Sequence, residues 1–178
     1  MSSDVSSDDN PDDVTIRPDT GDDYPAIHNL VATAFDSELE AKLIDRLRSD
    51  GDLVLSLVAE RNGKIVGYAG FSRLTIKSRE LRATALAPVA VSRCHRRRGV
   101  AAALVREGIH ELELAGEDLI FVLGDPTYYG RFGFDGRVAR QFCAQWSGPA
   151  FLALALERSP KAANRPLVVY PPAFEAFG

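Results

Sequence analysis

A chain of 178 residues, 46% hydrophobic and 26% charged, has the makeup of an ordinary globular protein. It is long enough to bury about two-thirds of its unfolded surface in one core, and its composition speaks against a fibre or a disulfide scaffold. The net charge of −4 reflects Asp4, Asp8, Asp9, Asp12 and Asp13, and the remainder is near +1 without the broad basic face that binds nucleic acid.

Cys94 and Cys143 have no paired Cys/His spacing for zinc, no apolar run approaches a membrane span, and the N-terminus lacks signal-peptide features. A cytoplasmic protein is expected, with no metal and neither a membrane nor a nucleic-acid partner. Residues 1–13 are Ser- and Asp-rich with almost nothing apolar, so the pattern predicts a disordered acidic tail ahead of one domain over 14–178.

Residues 14–17 read as a strand ended by Pro18. Asp19 to Asp23 supply turn and cap chemistry, and Ala26, Ile27, Leu30, Val31 and Ala34 recur at helical spacing. A second amphipathic helix covers 38–48, with Leu39, Leu43, Ile44 and Leu47 on one side, and stops before Gly51. Two apolar, β-branched runs at 53–60 and 64–76 flank Asn62-Gly63, the tight-turn pair of an antiparallel hairpin.

A strand at 84–91, a helix from Gly99 to about 115 and a continuous apolar strand at 119–123 follow. Asp125-Pro126 then opens a short helix carrying Tyr128 and Tyr129, with Asp125 explained as its N-cap. Runs at 138–144, 151–156 and 167–170 read as further strands. The order of elements is that of an α/β chain, a mixed sheet with helices on its faces.

The junction after residue 91 concentrates charge: Arg93, Arg96, Arg97 and Arg98 crowd the turn that enters the helix. The first amides of a helix have no intrahelical partner, and the macrodipole places partial positive charge there. Cations stacked at that end are unfavourable unless an anion joins them, so the turn is predicted to bind phosphate. Gly99 would let the backbone come close.

Arg96-Arg97-Arg98-Gly99-Val100-Ala101 resembles the Gln/Arg-x-x-Gly-x-Gly/Ala signature of the GNAT superfamily of N-acetyltransferases, and it lies between a strand and a helix as in that family. Tyr129-Gly130-Arg131-Phe132-Gly133-Phe134 resembles the family's Tyr-x-x-x-Gly-Phe element. The resemblance runs over roughly 14–134. It implies the GNAT fold, α/β (α+β), with a mostly antiparallel sheet and one splayed parallel pair.

It also implies acetyl-CoA as cosubstrate and a direct transfer of acetyl to a small-molecule amine or a peptide. The diphosphate would lie on Arg96, Arg97, Arg98, Gly99, Val100, Ala101 and Ala102. Main-chain groups of Val89, Ala90 and Val91 would pair with the pantetheine arm, and the 119–123 strand would be their splayed partner. Tyr129 would protonate the leaving thiolate, with Tyr128 as the alternative. Phe35, Asp36 and Glu38 would form a wall of the acceptor site, and a homodimer is compatible with the resemblance.

No acid stands on the 84–91 strand, where some members keep a base, so Asp36, Glu38, His95 or a water chain remain candidates for proton removal. His28 and His110 fall on predicted helices without an assigned role, and Cys94 could react if the arginines lower its pKa. A non-catalytic acyl-CoA-binding module and an enzyme for longer acyl chains are the alternatives.

Overall fold

The computed structural model describes residues 14–156 and 164–178. The tail expected over 1–13 lies outside the described residues. Asn62 and Gly63, both at positive φ (50° and 74°), close the turn that folds β2 (Leu53–Arg61) onto β3 (Lys64–Ile76). Around this hairpin the sheet runs in the order β1-β2-β3-β4-β5-β6, with β1 at Thr15–Pro18, β4 at Ala83–Val91, β5 at Leu119–Leu123 and β6 at Phe151–Ala155. A two-residue β7 (Val168–Val169) pairs with the far end of β3. Among the described strands, β4 and β5 are the one pair that runs parallel.

Two helical layers cover the sheet. Val100, Leu104, Val105 and Leu112 of α3 (Val100–Leu114) bury one face against Leu57, Phe71, Leu86 and Ile120. On another face, Ile27 and Val31 of α1 (Tyr24–Phe35) and Ala41 and Ile44 of α2 (Leu39–Ser49) pack on Val58, Tyr68 and Ala90. Each helix contributes the apolar stripe its sequence period predicts.

Polar ties set how α2 sits. Asp19 accepts hydrogen bonds from Ser56 Oγ at 2.6 Å and Arg48 at 2.7 Å, and the Arg48 guanidinium lies 3.7 Å from the centroid of the Tyr24 ring. Arg17 forks onto Asp23, whose carboxyl it holds down to about 2, and also reaches Glu60 at 2.7 Å. No helix among the described residues is long and apolar enough to cross a membrane.

The strand expected over 138–144 is not formed. A short helix α5 (Gly136–Ala139) begins there instead, its N-terminus capped by Asp135, which accepts the Arg137 amide at 2.7 Å. Ala139 and Phe142 are buried and Val138 is partly buried beside them, a helical rather than alternating spacing across the start of this segment. Cys143 keeps a single bridge to Leu167, and the strand expected at 167–170 contracts to β7. Both cysteines are free and exposed.

Candidate active site

β4 and β5 pair only from Ala83–Leu119 to Ala85–Phe121. Beyond that point β4 stays on β3 as far as Val91, while β5 follows β6 to Leu123, so a wedge opens between them. The β3–β4 register slips opposite Ala87-Pro88, where Pro88 has no amide to give the ladder. A cavity of about 400 Å³ occupies the wedge, with Leu86, Val89, Val122, Leu123 and Tyr129 among its walls.

The direction of the β4 amides follows from the ladder. Ser92 donates its amide to the Val66 carbonyl at 2.9 Å. Antiparallel pairs alternate, so Ala90 opposite Tyr68 also faces β3, while the amides of Val89 and Val91 face the edge that β5 has left. The Val91 carbonyl on that edge accepts Arg96 Nε at 3.3 Å. Of the three residues expected to offer main-chain contacts, Val89 and Val91 therefore present amides to the gap, and Ala90 turns its own into the sheet.

At the end of β4 the chain passes a turn of 3-10 helix at Arg93–His95 and reaches Gly99. Gly99 has φ 78°, a left-handed conformation that suits glycine, and N-caps α3 without any side-chain acceptor. The first helical bond is Ala103 to the Gly99 carbonyl at 3.0 Å, so the amides of Val100, Ala101 and Ala102 have no intrahelical partner. Val100 and Ala102 bury their side chains and offer only backbone. Arg97 and Arg98 are exposed beside this end, whereas Arg96 reaches the carbonyls of Val91 and of Ala34 in the last turn of α1, tying two elements together. His95 Nδ1 lies 2.6 Å from Ser92 Oγ and does not line the cavity.

Tyr129 stands on α4 (Pro126–Gly130), which Asp125 caps by accepting the Thr127 amide at 2.9 Å. Its ring makes edge contacts with Tyr128 at 5.0 Å and Phe134 at 5.8 Å between centroids. A Cβ at Gly124 would come within 2.3 Å of the Tyr129 ring, so the bare backbone there makes room for the aromatic. Burial, with a smaller contribution from Tyr128, pushes the Tyr129 hydroxyl above its ordinary range and keeps it protonated at neutral pH. Tyr128 does not line the cavity; it stacks under Arg131 at 4.5 Å.

On the opposite wall the three residues expected from the helix connection separate. Phe35 lines the cavity. Asp36 takes the left-handed C-cap of α1 at φ 51°. The Glu38 carboxylate is engaged by His28 Nε2 at 2.8 Å, and His28 Nδ1 meets Asp45 at 2.8 Å. The acid that does line the cavity is Glu40, in the first turn of α2, together with Trp146, Tyr170, Phe174 and Phe177. The sequence reading missed all five. For Glu40 the available signal was its place three and four residues before Leu43 and Ile44 on the apolar side of α2; no spacing in the chain pointed to the four aromatics.

His28 can satisfy both carboxylates only with both ring nitrogens protonated. Glu38 first and Asp45 second raise its pKa above 6.5 in the folded chain. A raised folded pKa gives stability that is present below the unfolded value and lost as pH rises through the folded one. Chemical unfolding should therefore show the wild type losing more stability between about pH 6 and about pH 8.5 than His28→Gln does, and equal losses would remove the clip.

A sheet broken at one parallel pair, with a bare helix N-terminus at the end of the splayed strand, defines an acetyltransferase of the GNAT type. The chain belongs to this family: the acetyltransferase (GNAT) domain model matches residues 15–136. The uncharacterised N-acetyltransferase YhbS of Escherichia coli K12 is 38% identical over 134 residues, covering 75% of this chain and 80% of that protein. The crystal structure of E. coli YhbS in complex with CoA has a TM-score of 0.86 at 36% identity, covering 93% of each chain. A Brucella melitensis GNAT acetyltransferase in complex with acetyl-CoA has a TM-score of 0.77 at 31% identity over 90% of this chain and 97% of that one.

Proposed function

We propose that this protein transfers the acetyl group of acetyl-CoA to an amine by direct attack within a ternary complex. One observation carries the reading: the unpartnered amides of α3, the outward amides of Val91 and Val89, and the cavity at Tyr129 follow one another along a single strand edge. The CoA diphosphate would be received by the amides of Gly99, Val100, Ala101 and Ala102 with Arg97 and Arg98 alongside. The pantetheine arm would run along Val91 and Val89. An amide on that edge, directed at the thioester carbonyl, would stabilise the oxyanion of the tetrahedral intermediate. Tyr129 would donate its proton to the departing thiolate. The crystal structures of the two relatives with CoA and acetyl-CoA support this choice of donor.

Thiol release from acetyl-CoA, dependent on added amine, tests the activity, and its absence with every amine while acetyl-CoA still binds would favour a binding module. The anion site has its own test. Nothing lies within 4 Å of a Cβ built at Gly99, so a side chain there acts through charge and backbone rather than collision. Gly99→Asp should weaken acetyl-CoA binding about tenfold or more by calorimetry, an amount that a repulsion near 1.4 kcal/mol produces. Gly99→Asn, which tolerates the left-handed backbone without the charge, should weaken it less. Equal affinities for wild type and Gly99→Asp would sink the assignment.

A further inference from the structure

Resting on the transferase reading above, we infer that the acceptor is a primary amine carried on an apolar body, with Glu40 receiving its ammonium group and taking its first proton. The cavity has an unusual polarity. Among its described lining residues Glu40 is the only charged one, and the two phenols, Tyr129 and Tyr170, are the only other groups with side-chain oxygen. Glu40 Oε2 is buried with no hydrogen-bond partner. Arg61 Nε, Ser72 Oγ and Thr84 Oγ1 share that condition among the described residues, but none of those residues lines this cavity. A carboxylate oxygen withdrawn from water is costly until a donor meets it, and an ammonium supplies both donor and countercharge.

The rest of the wall describes what the ammonium is attached to. Trp146 and Tyr170 meet edge to face with centroids 4.8 Å apart, and Tyr170 meets Phe174 at 5.2 Å. Leu43 and Leu47 of α2 back this aromatic group, so the helix that carries Glu40 also seats the rings. Aromatic faces attract a cation and stack on planar or aliphatic groups. No Arg, Lys or His lines the described wall to receive a carboxylate or phosphate, and no second acid is there to receive the far ammonium of a polyamine. Sugars and polar peptides would leave their hydroxyls and amides unpaired against these rings.

The step balances as follows. The bound ammonium gives one proton to Glu40 and becomes a free amine. Its nitrogen lone pair forms a C–N bond with the thioester carbon, the C–S bond breaks, and the thiolate takes the Tyr129 proton. The second nitrogen proton returns through solvent to Tyr129, and Glu40 releases its own to solvent.

Trp146 is the only tryptophan, so its fluorescence reports occupation of the wall independently of turnover. The full chain with CoA is titrated with 2-phenylethylamine, spermidine and lysine, and thiol release is measured for each with acetyl-CoA. 2-Phenylethylamine should alter Trp146 emission and have the highest kcat/KM. Glu40→Gln should raise its KM and its fluorescence Kd about tenfold and lower kcat, with the KM for acetyl-CoA unchanged and Glu40→Asp intermediate. Higher kcat/KM with spermidine or lysine, or an amine KM indifferent to Glu40→Gln, overturns the inference. Should no amine release thiol, a fluorescence response lost in Glu40→Gln would uphold the acceptor pocket while the transfer reading fails; the absence of any response overturns the pocket.

Discussion

Tyr129→Phe is expected to lower kcat about 100-fold or more while the Kd for acetyl-CoA stays within about a factor of three, since acid catalysis is typically worth 10²- to 10⁴-fold and the substitution removes only an oxygen. The ring would keep its seat, because the contacts that hold it, the Gly124 backbone and the edges of Tyr128 and Phe134, do not involve the hydroxyl. The direction of the pKa shift agrees with the role: burial raises the Tyr129 hydroxyl, so at neutral pH the proton is present for a thiolate to take. Tyr128→Phe serves as the comparison, since that ring belongs to the same aromatic group but stands outside the cavity and should change turnover little. Steady-state thiol release and acetyl-CoA calorimetry on both variants decide it. Equal turnover in Tyr129→Phe would remove the acid and leave the leaving group to solvent.

The parts of this site that were legible in the sequence are those whose chemistry is local. Asn62-Gly63 makes its turn, Asp125-Pro126 starts its helix, and Gly99 opens α3, each because the residue type and the backbone it needs are the same fact. Arg96 shows where local logic stops. Its charge reads as a phosphate ligand, yet its guanidinium is taken by carbonyls at the ends of β4 and α1, and Ala34 is far away in the chain. The acids near the start of α2 are a second case: His28 draws Glu38 aside, Asp36 takes the left-handed turn that ends α1, and Glu40 is the acid that lines the wedge. Trp146, Tyr170 and Phe174 come from segments joined only in the tertiary fold, so no spacing in the chain connects them to the acceptor.

Glu117→Ala is expected to destabilise the protein by about 3 kcal/mol, the low end of what stranding a buried ion pair costs. Glu117 is 1% exposed and lies at the point where α3 turns back into β5. Arg73 of β3 grips its carboxylate with both terminal nitrogens at 2.7 and 2.8 Å, and Arg82 adds a third contact at 3.0 Å. The value falls at the low end because both guanidinium groups are partly exposed and water can relieve them once the carboxylate is gone. Arg73 also donates to the Ala83 carbonyl at 3.3 Å, and the Arg82 amide donates to Asp118 at 2.8 Å, so the cluster joins the first residues of β4 to those of β5.

The parallel ladder itself is three residue pairs long, so this ion cluster is the polar clamp at its closed end, and the wedge opens from the other. Glu117→Gln keeps one acceptor oxygen and should lose roughly half as much stability. Urea unfolding reads both through the midpoint at constant slope. The same variants separate two ways of making an open site. If the clamp fixes where the strands part, Glu117→Ala assayed well below its melting temperature should show a raised KM for acetyl-CoA, because Val89 and Val91 no longer keep their distance from Val122 and Leu123. A stability loss with unchanged KM would mean that the β4 irregularity opposite Gly70 opens the wedge by itself.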